Sequence, residues 1–153
     1  MTDETDPGEL IEHATDRVLT LARTWLAWDG RPYVADDGER VYTPHKVVRR
    51  YADHLVDHLA EVEALLAGVR SRPDGWHASA VTLESDWARF SEADLNEATE
   101  RLTRLSAIFR LRLAAAGEAA WDQPRAGAWT LREIAVHVGT PWYAEQVGDL
   151  TAP

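Results

Sequence analysis

Two of the six histidines, His54 and His58, are four residues apart in the segment Asp-His-Leu-Val-Asp-His. On an α-helix this spacing places both imidazole rings on one face, one turn apart. A third histidine, His137, lies between Ile134 and Val138 of a later amphipathic segment and points to the apolar side of that segment. Helical bundles build metal sites in this way, with an i,i+4 pair on one helix and a further ligand on a facing helix. The spacing therefore predicts that His54, His58 and His137 hold a metal ion.

Only imidazole and carboxylate ligands are available to such a site, because the chain contains no cysteine. Three neutral imidazoles with open coordination positions suit zinc or nickel, and also iron. The open positions leave room for water or a small-molecule substrate. The lack of cysteine also excludes disulfides, iron–sulfur clusters and a cysteine nucleophile.

The same histidines also have a structural interpretation, in which they are core or surface residues that bind no metal. Among six histidines an i,i+4 pair arises readily by chance, and an inward-facing histidine is often a hydrogen-bonded core residue. His13 and His45 are expected on solvated faces, and His77 falls in a loop. On this interpretation the chain is a non-catalytic helical dimer, or a module that binds a small ligand without a metal.

Aromatic side chains form a second group of candidate site residues. Trp25 and Trp28 are at core spacing, and Trp129, just before a helix start, is also expected to pack in the core. The remaining aromatic residues could line an apolar pocket of the kind that a small-molecule sensor uses: Trp76, Trp87, Trp142, Tyr33, Tyr42 and Tyr143.

Next to the histidines we predict a pocket lined by Tyr51, Trp142, Tyr143 and Glu145. Glu145 follows His137 by two helical turns and reaches the same cavity if the helix continues through the intervening proline. If the helix does not continue, Glu145 is a surface carboxylate.

Four amphipathic segments must position these residues. The first spans about residues 7–28, with Asp6 as N-cap and Pro7 at the first helical position. The second spans about residues 44–69 and has Thr43 as its N-cap. Both segments carry apolar residues at helical spacing along one face, which predicts that each packs against a common core.

The other two amphipathic segments lie in the second half of the chain. The third begins at Ser91 and ends at Gly117. The fourth begins at Thr130, which forms a capping box with Glu133. Pro141 follows it, and because proline lacks a backbone N–H it should kink this helix or restart it.

Little of the sequence favours β-structure. Two short β-prone pairs around Asp37-Gly38 predict a small hairpin within residues 32–43, and residues 71–90 form a long connection. The length of 153 residues fits a single domain. The pattern as a whole predicts an all-α fold, an antiparallel four-helix bundle with long connections.

Composition and motifs exclude several function classes. Sixteen basic residues against 26 acidic ones give a net charge of −10, which disfavours nucleic-acid binding. The sequence has no apolar run long enough to span a membrane and no signal-peptide pattern in its first ten residues, so we expect a cytoplasmic protein with no membrane contact. It also contains no phosphate loop, nucleophile elbow or His-Glu-x-x-His motif.

Residues 127–138 read Gly-Ala-Trp-Thr-Leu-Arg-Glu-Ile-Ala-Val-His-Val. They resemble the Gly-x-Trp-Ser/Thr-x-x-Glu-Ile-x-x-His-Leu segment of the DinB-like (YfiT-like) superfamily. In that family the histidine of this segment and a His-x-x-x-His pair on another helix complete a metal site. His137 matches the single ligand, and His54 and His58 match the pair. The tryptophan segment usually precedes the paired histidines in the family and follows them here, which implies a rearranged helix order.

The resemblance implies more than a ligand set. Members of the family are four-helix bundles, commonly dimeric, and several related members are thiol-dependent transferases or isomerases that use mycothiol, bacillithiol or glutathione. By this resemblance we expect a homodimeric, divalent-metal-dependent enzyme similar to the DinB-like thiol S-transferases. Its partners would be a low-molecular-weight thiol and a small-molecule substrate.

Overall fold

Six α-helices and one short hairpin form the regular structure of residues 5–73, 76 and 78–153, which are the residues that the computed structural model describes. The predicted all-α class is confirmed, and His77 lies outside the described residues. The helices are α1 (Pro7–Ala22), α2 (Pro44–Ala67), α3 (Glu92–Ala116), α4 (Glu118–Trp121), α5 (Leu131–Val138) and α6 (Trp142–Val147), and the strands are β1 (Tyr33–Val34) and β2 (Val41–Tyr42).

The helix starts follow local capping chemistry, as predicted. The side chain of Asp6 accepts a hydrogen bond from the Gly8 amide at 2.8 Å, and the Thr43 hydroxyl accepts one from the Lys46 amide at 3.2 Å. Helix α5 begins with the expected capping box between Thr130 and Glu133. These starts determine which residues of each helix face the core.

The end of the first helix differs from the prediction. Helix α1 ends at Ala22 rather than near residue 28, and a 3-10 turn at Trp25–Ala27 follows it. The turn keeps Trp25 fully buried, with its indole N–H donating to the Gly148 carbonyl at 2.9 Å. Trp28, by contrast, is only half-buried. The core spacing of the two tryptophans therefore does not reflect one continuous helix.

The hairpin forms where the sequence predicts it. Strands β1 and β2 are antiparallel, with Tyr33 opposite Tyr42 and Val34 opposite Val41. Gly38 has a φ of +73° in the turn, a conformation that residues with a Cβ rarely adopt. Two strands this short depend on neighbours for stability, and α6 packs on both.

The predicted break at Pro141 is confirmed, because α5 ends at Val138 and α6 restarts at Trp142. Gly139, between them, lies close to α1: a Cβ at this position would be 2.9 Å from the Leu10 Cβ and 2.7 Å from the Ala135 carbonyl oxygen. Any larger residue there would push the end of α5 away from α1.

Helices α1 and α2 each pack against α3, α5 and α6. The core between them is apolar and includes fully buried residues from every one of these helices: Ile11, Val47, Leu55, Leu102, Phe109, Leu131, Ile134 and Ala144. This arrangement places α5, which carries His137, beside the histidines of α2. Among the described helices, none has the length and apolar character needed to cross a membrane.

Candidate metal centre

The structure brings His54, His58 and His137 together. Their ring centroids are 4.6 Å (His54–His58), 4.8 Å (His54–His137) and 4.9 Å (His58–His137) apart. One nitrogen of each ring lies within 4.8 Å of the others. A tetrahedral ion with bonds of about 2.0–2.1 Å needs nitrogens about 3.4 Å apart, so modest rotations of the rings would complete the site. These three histidines could hold a metal ion.

The three rings differ in their access to solvent. His54 is 7% exposed, the side chain of His58 is 14% exposed, and His137 is exposed. The helical pattern of the sequence predicts a different order, with His58 inside, His54 at the border and His137 pointing inward. The order differs because α6 also packs on this part of α2: Tyr143 of α6 lies 5.6 Å from His54, ring centroid to ring centroid. The candidate metal centre is therefore shielded from solvent at His54 and accessible to solvent at His137.

Glu61 orients one of the three rings. Its Oε2 lies 2.7 Å from Nδ1 of His58, three residues earlier on the same helix. An ionised carboxylate can only accept, so Nδ1 carries the proton and Nε2 of the neutral ring is left as an electron-pair donor. Metal-binding histidines commonly have such a partner behind them, which fixes the tautomer and the ring direction. Glu61 is not among the site residues that the sequence predicts, although its i+3 spacing from His58 is a signal for this contact.

Burial keeps His54 neutral. The loss of hydration lowers the pKa of His54 to about 3, and the charges of His58, His137 and Arg50 act in the same direction. A hydrogen bond with the main chain of His137 opposes this shift only in part. At neutral pH the ring is therefore in the unprotonated form that metal binding requires.

Trp129 forms a wall of the centre, and the prediction that it packs in the core is wrong. Its ring is nearly parallel to that of His58, with an interplanar angle of 17° and a centroid distance of 6.4 Å. The Trp129 ring also lies 5.0 Å from His137, yet it is 46% exposed. A groove of about 360 Å³ opens beside it, lined by Trp129, Arg132, Glu133, Val136 and His137. The groove gives a small molecule access to the exposed side of the three histidines.

The predicted pocket residues separate into two groups. Tyr143 is half-buried with its ring 5.6 Å from that of His54, and the half-buried Trp142 packs on Tyr143, with ring centroids 5.5 Å apart. Tyr51 is instead a core residue with no exposed surface, and its hydroxyl is 2.9 Å from the Thr15 hydroxyl. Glu145 is exposed and forms an ion pair with Arg17 of α1 at 2.8 Å. The break at residue 141 changes the direction of α6, so Glu145 does not continue the face that carries His137.

The other described histidines lie apart from this centre. His13 is exposed, as expected. His45 was expected on a solvated face but is half-buried: its ring packs 5.2 Å from that of Phe90, and its Nε2 is 3.1 Å from the Arg89 carbonyl oxygen. The connection after α2 folds back onto that helix and covers His45.

Comparisons of the chain with protein-family models, with curated protein sequences and with solved structures gave no match. The geometry of the three histidines and their surroundings is therefore the basis for assigning a function.

Proposed function

We propose that the chain is a divalent-metal-dependent enzyme that acts on a small molecule, with the metal held by His54, His58 and His137. The observation that carries the proposal is the approach of three imidazoles from two helices, with one nitrogen of each within 4.8 Å of the others. The Glu61 hydrogen bond to His58 adds support, because metal-binding histidines commonly donate their other ring N–H to a carboxylate. Zinc and nickel suit this donor set best, and iron also fits.

The fold behind this proposal is an antiparallel four-helix bundle of α1, α2, α3 and the broken α5–α6 unit. Its support is the packing of α1 and α2 against each of the other three elements. We further propose a relationship to the DinB-like superfamily, supported by Trp129 and His137, which lie at the matching positions of the motif and are in contact here. Dimerisation and a cytoplasmic location stay predictions.

The chemistry follows from the donor set and the open side of the centre. A bound divalent ion lowers the pKa of a coordinated thiol or water and so supplies a nucleophile near neutral pH. Glu61 holds the His58 tautomer, and burial keeps His54 unprotonated. The groove beside Trp129 offers an apolar wall to the incoming molecule. A low-molecular-weight thiol of the mycothiol or bacillithiol type is the co-substrate we propose.

Metal analysis tests the metal site directly. Protein purified without an affinity tag or chelator should contain up to one metal ion per chain, and metal-free protein should bind zinc or nickel in calorimetry. His58→Ala and His137→Ala should each lose most of this binding. His13→Ala removes an exposed histidine outside the centre and should bind as the original chain does.

The alternative is a helical module that binds a small ligand or a second copy of itself without a metal. It predicts that zinc and nickel leave the melting temperature unchanged, because only a ligand that binds the native state raises it. Less than a tenth of an equivalent of metal, together with unchanged stability in His58→Ala, would favour this alternative. For the catalytic part of the proposal, the metal-loaded protein should consume a thiol and an electrophile, and His137→Ala should not.

A further inference from the structure

Four basic side chains form one row along α2. Lys46, Arg50, His54 and His58 follow one another at intervals of four residues, so they lie on one ridge of the helix. Lys46 is 1% exposed and Arg50 is 9% exposed. The row leads from the three histidines toward the hairpin and α6. Arg50 thus lies one turn from His54, Lys46 lies one turn further along the helix, and both cations are buried.

Both cations have hydroxyl groups as their hydrogen-bond partners. The Arg50 Nε–H donates to the Ser79 hydroxyl at 2.5 Å, and the Lys46 ammonium donates to the Thr82 hydroxyl at 2.9 Å. Each cation also lies over an aromatic ring, Arg50 at 5.2 Å from the Tyr143 centroid and Lys46 at 5.1 Å from that of Tyr42. Within the described ranges, neither Lys46 nor Arg50 forms an ion pair with a carboxylate.

Two carboxylates near this part of α2, Asp53 of the helix and Asp86 of the connection after it, lie close to Arg49. The Asp86 side chain accepts from the Arg49 guanidinium at 2.7 Å, and Asp53 lies 3.9 Å from it. Burial lowers the pKa of Lys46, and the charge of Arg49 lowers it further, with Asp86 opposing. The charged groups that act on the pKa of Lys46 are thus three cations, Arg40, Arg49 and Arg50, and one carboxylate, Asp86.

Buried cations of this kind are costly unless something neutralises them. A buried charge without a counter-charge is strongly destabilising, because the lost hydration is not replaced. The chain has 26 acidic residues for 16 basic ones, so counter-charges are not scarce. Other partly buried arginines do have them: Arg49 pairs with Asp86, and Arg132 pairs with Asp122. Among the residues that the structure describes, these two buried cations have hydroxyl and aromatic partners but no carboxylate, an arrangement that suits an external anion.

The surrounding polar groups fit an oxyanion. The Tyr42 side chain has no exposed surface, and its hydroxyl faces Ser79 without a hydrogen bond of good geometry. The Tyr143 ring lies between the two sites, 5.2 Å from the Arg50 guanidinium carbon and 5.6 Å from the His54 ring. A group bound at Arg50 would thus be one aromatic ring away from the histidines.

We propose that Arg50, assisted by Lys46 and the Tyr42 hydroxyl, binds a carboxylate or phosphate group of the small-molecule substrate beside the three histidines. A guanidinium presents its donors in a planar fork that matches both groups, and such bonds are charge-assisted. The link to substrate rests on the proposed function, whereas binding of the anion itself needs no metal.

The test measures anion binding to the metal-free full chain. Inorganic phosphate and succinate are the probes, compared with chloride at equal ionic strength. Each probe that binds should raise the melting temperature by several degrees at saturation. Binding of phosphate alone or of succinate alone would identify which of the two groups the site takes. No shift with either probe would overturn the proposal.

Variants of Arg50 separate an anion site from a structural role. Arg50→Met should weaken anion binding at least tenfold, while the ligand-free protein keeps or gains thermal stability because an uncompensated charge is removed. Arg50→Lys keeps the charge but loses the planar pair of guanidinium donors. Its affinity for the anion should therefore lie between those of the original chain and Arg50→Met. Arg104→Met removes an exposed arginine of α3 and should bind both probes as the original chain does. A lower melting temperature in Arg50→Met with an unchanged response to both probes would overturn the proposal.

Metal titration of the same variant distinguishes the two proposals. Arg50→Met should still bind zinc through the three histidines. If the original chain binds anions but no metal, only the proposed function fails. If it binds metal but no anion, only the Arg50 site fails.

Discussion

Glu61 and His58 form a carboxylate–imidazole pair, with Oε2 of Glu61 2.7 Å from Nδ1 of His58. The pair is partly buried, with the His58 side chain 14% exposed and that of Glu61 25% exposed. A partly buried carboxylate raises the basicity of the ring it binds and limits its rotation. The pair therefore prepares one ligand of the centre before any ion is bound.

Replacing Glu61 with glutamine should weaken metal binding. Glutamine can still accept a hydrogen bond from Nδ1 but carries no charge, so we expect an affinity loss of about tenfold, toward the lower end of the range for such partners. Competition with a chromophoric chelator measures this loss. Glu63→Gln is the matched control, because Glu63 is an exposed neighbour paired with Arg112. Equal zinc affinity in Glu61→Gln and the original chain would contradict the orienting role.

Acid should destabilise the metal-free protein through His54. Its pKa is lowered to about 3 in the folded state and lies near 6.5 in an unfolded chain, so the unfolded state takes up the proton first. The stability contributed by neutral His54 is thus fully present above about pH 6.5 and is lost as the pH falls toward 3. Linkage gives a loss of roughly 2 kcal/mol by about pH 5.

Urea unfolding at a series of pH values measures this dependence. The comparison with His54→Gln isolates the residue, because other carboxylates and histidines titrate in both proteins. The variant should lose less stability between about pH 7 and pH 5 than the original chain. If the free energy of unfolding has the same pH dependence in both proteins, His54 does not titrate in this way.

Trp129 should report metal binding by its fluorescence. Nickel quenches indole emission at short range, and the Trp129 ring lies 5.0 Å from His137 and 6.4 Å from His58, between centroids. Trp129→Phe should therefore remove most of the nickel-dependent quenching while metal affinity stays within a few-fold of the original. Trp87→Phe is the control, because Trp87 is exposed to a similar extent, 45% against 46%. Equal quenching in both variants would place the ion elsewhere.

The features that the sequence predicts correctly are those with a local cause. Thr43 and Thr130 cap their helices through neighbouring backbone amides, and Pro141 interrupts its helix by lacking a donor. The i,i+4 spacing of His54 and His58 likewise needs only a helix. The sequence also predicts that His137 approaches them, although its ring is exposed rather than turned to the core side of α5.

The features that the sequence does not predict depend on contacts between elements. His54 is more buried than His58 because α6 covers it, and α6 has that direction only because the chain restarts after residue 141. The same break sends Glu145 to Arg17. Trp129 resembles a core residue by type, yet its position before the α5 cap leaves it at the rim beside the histidines. Each of these positions depends on how two elements pack together. The periodicity of a single helix carries no information about that packing.

Tyr51 should act on stability and leave the metal centre unchanged. Its hydroxyl is 2.9 Å from that of Thr15, in a fully buried contact between α2 and α1. Thr15 also donates to the Ile11 carbonyl at 2.8 Å, so it is available as the acceptor for the Tyr51 hydroxyl. Tyr51→Phe removes this hydrogen bond and should lower the free energy of unfolding by about 1 kcal/mol. Zinc affinity should match that of the original chain, since Tyr51 lies in the core beneath the ridge that carries the histidines. A weakened zinc affinity with unchanged stability would instead support the sequence-based prediction that Tyr51 lines the pocket beside the histidines.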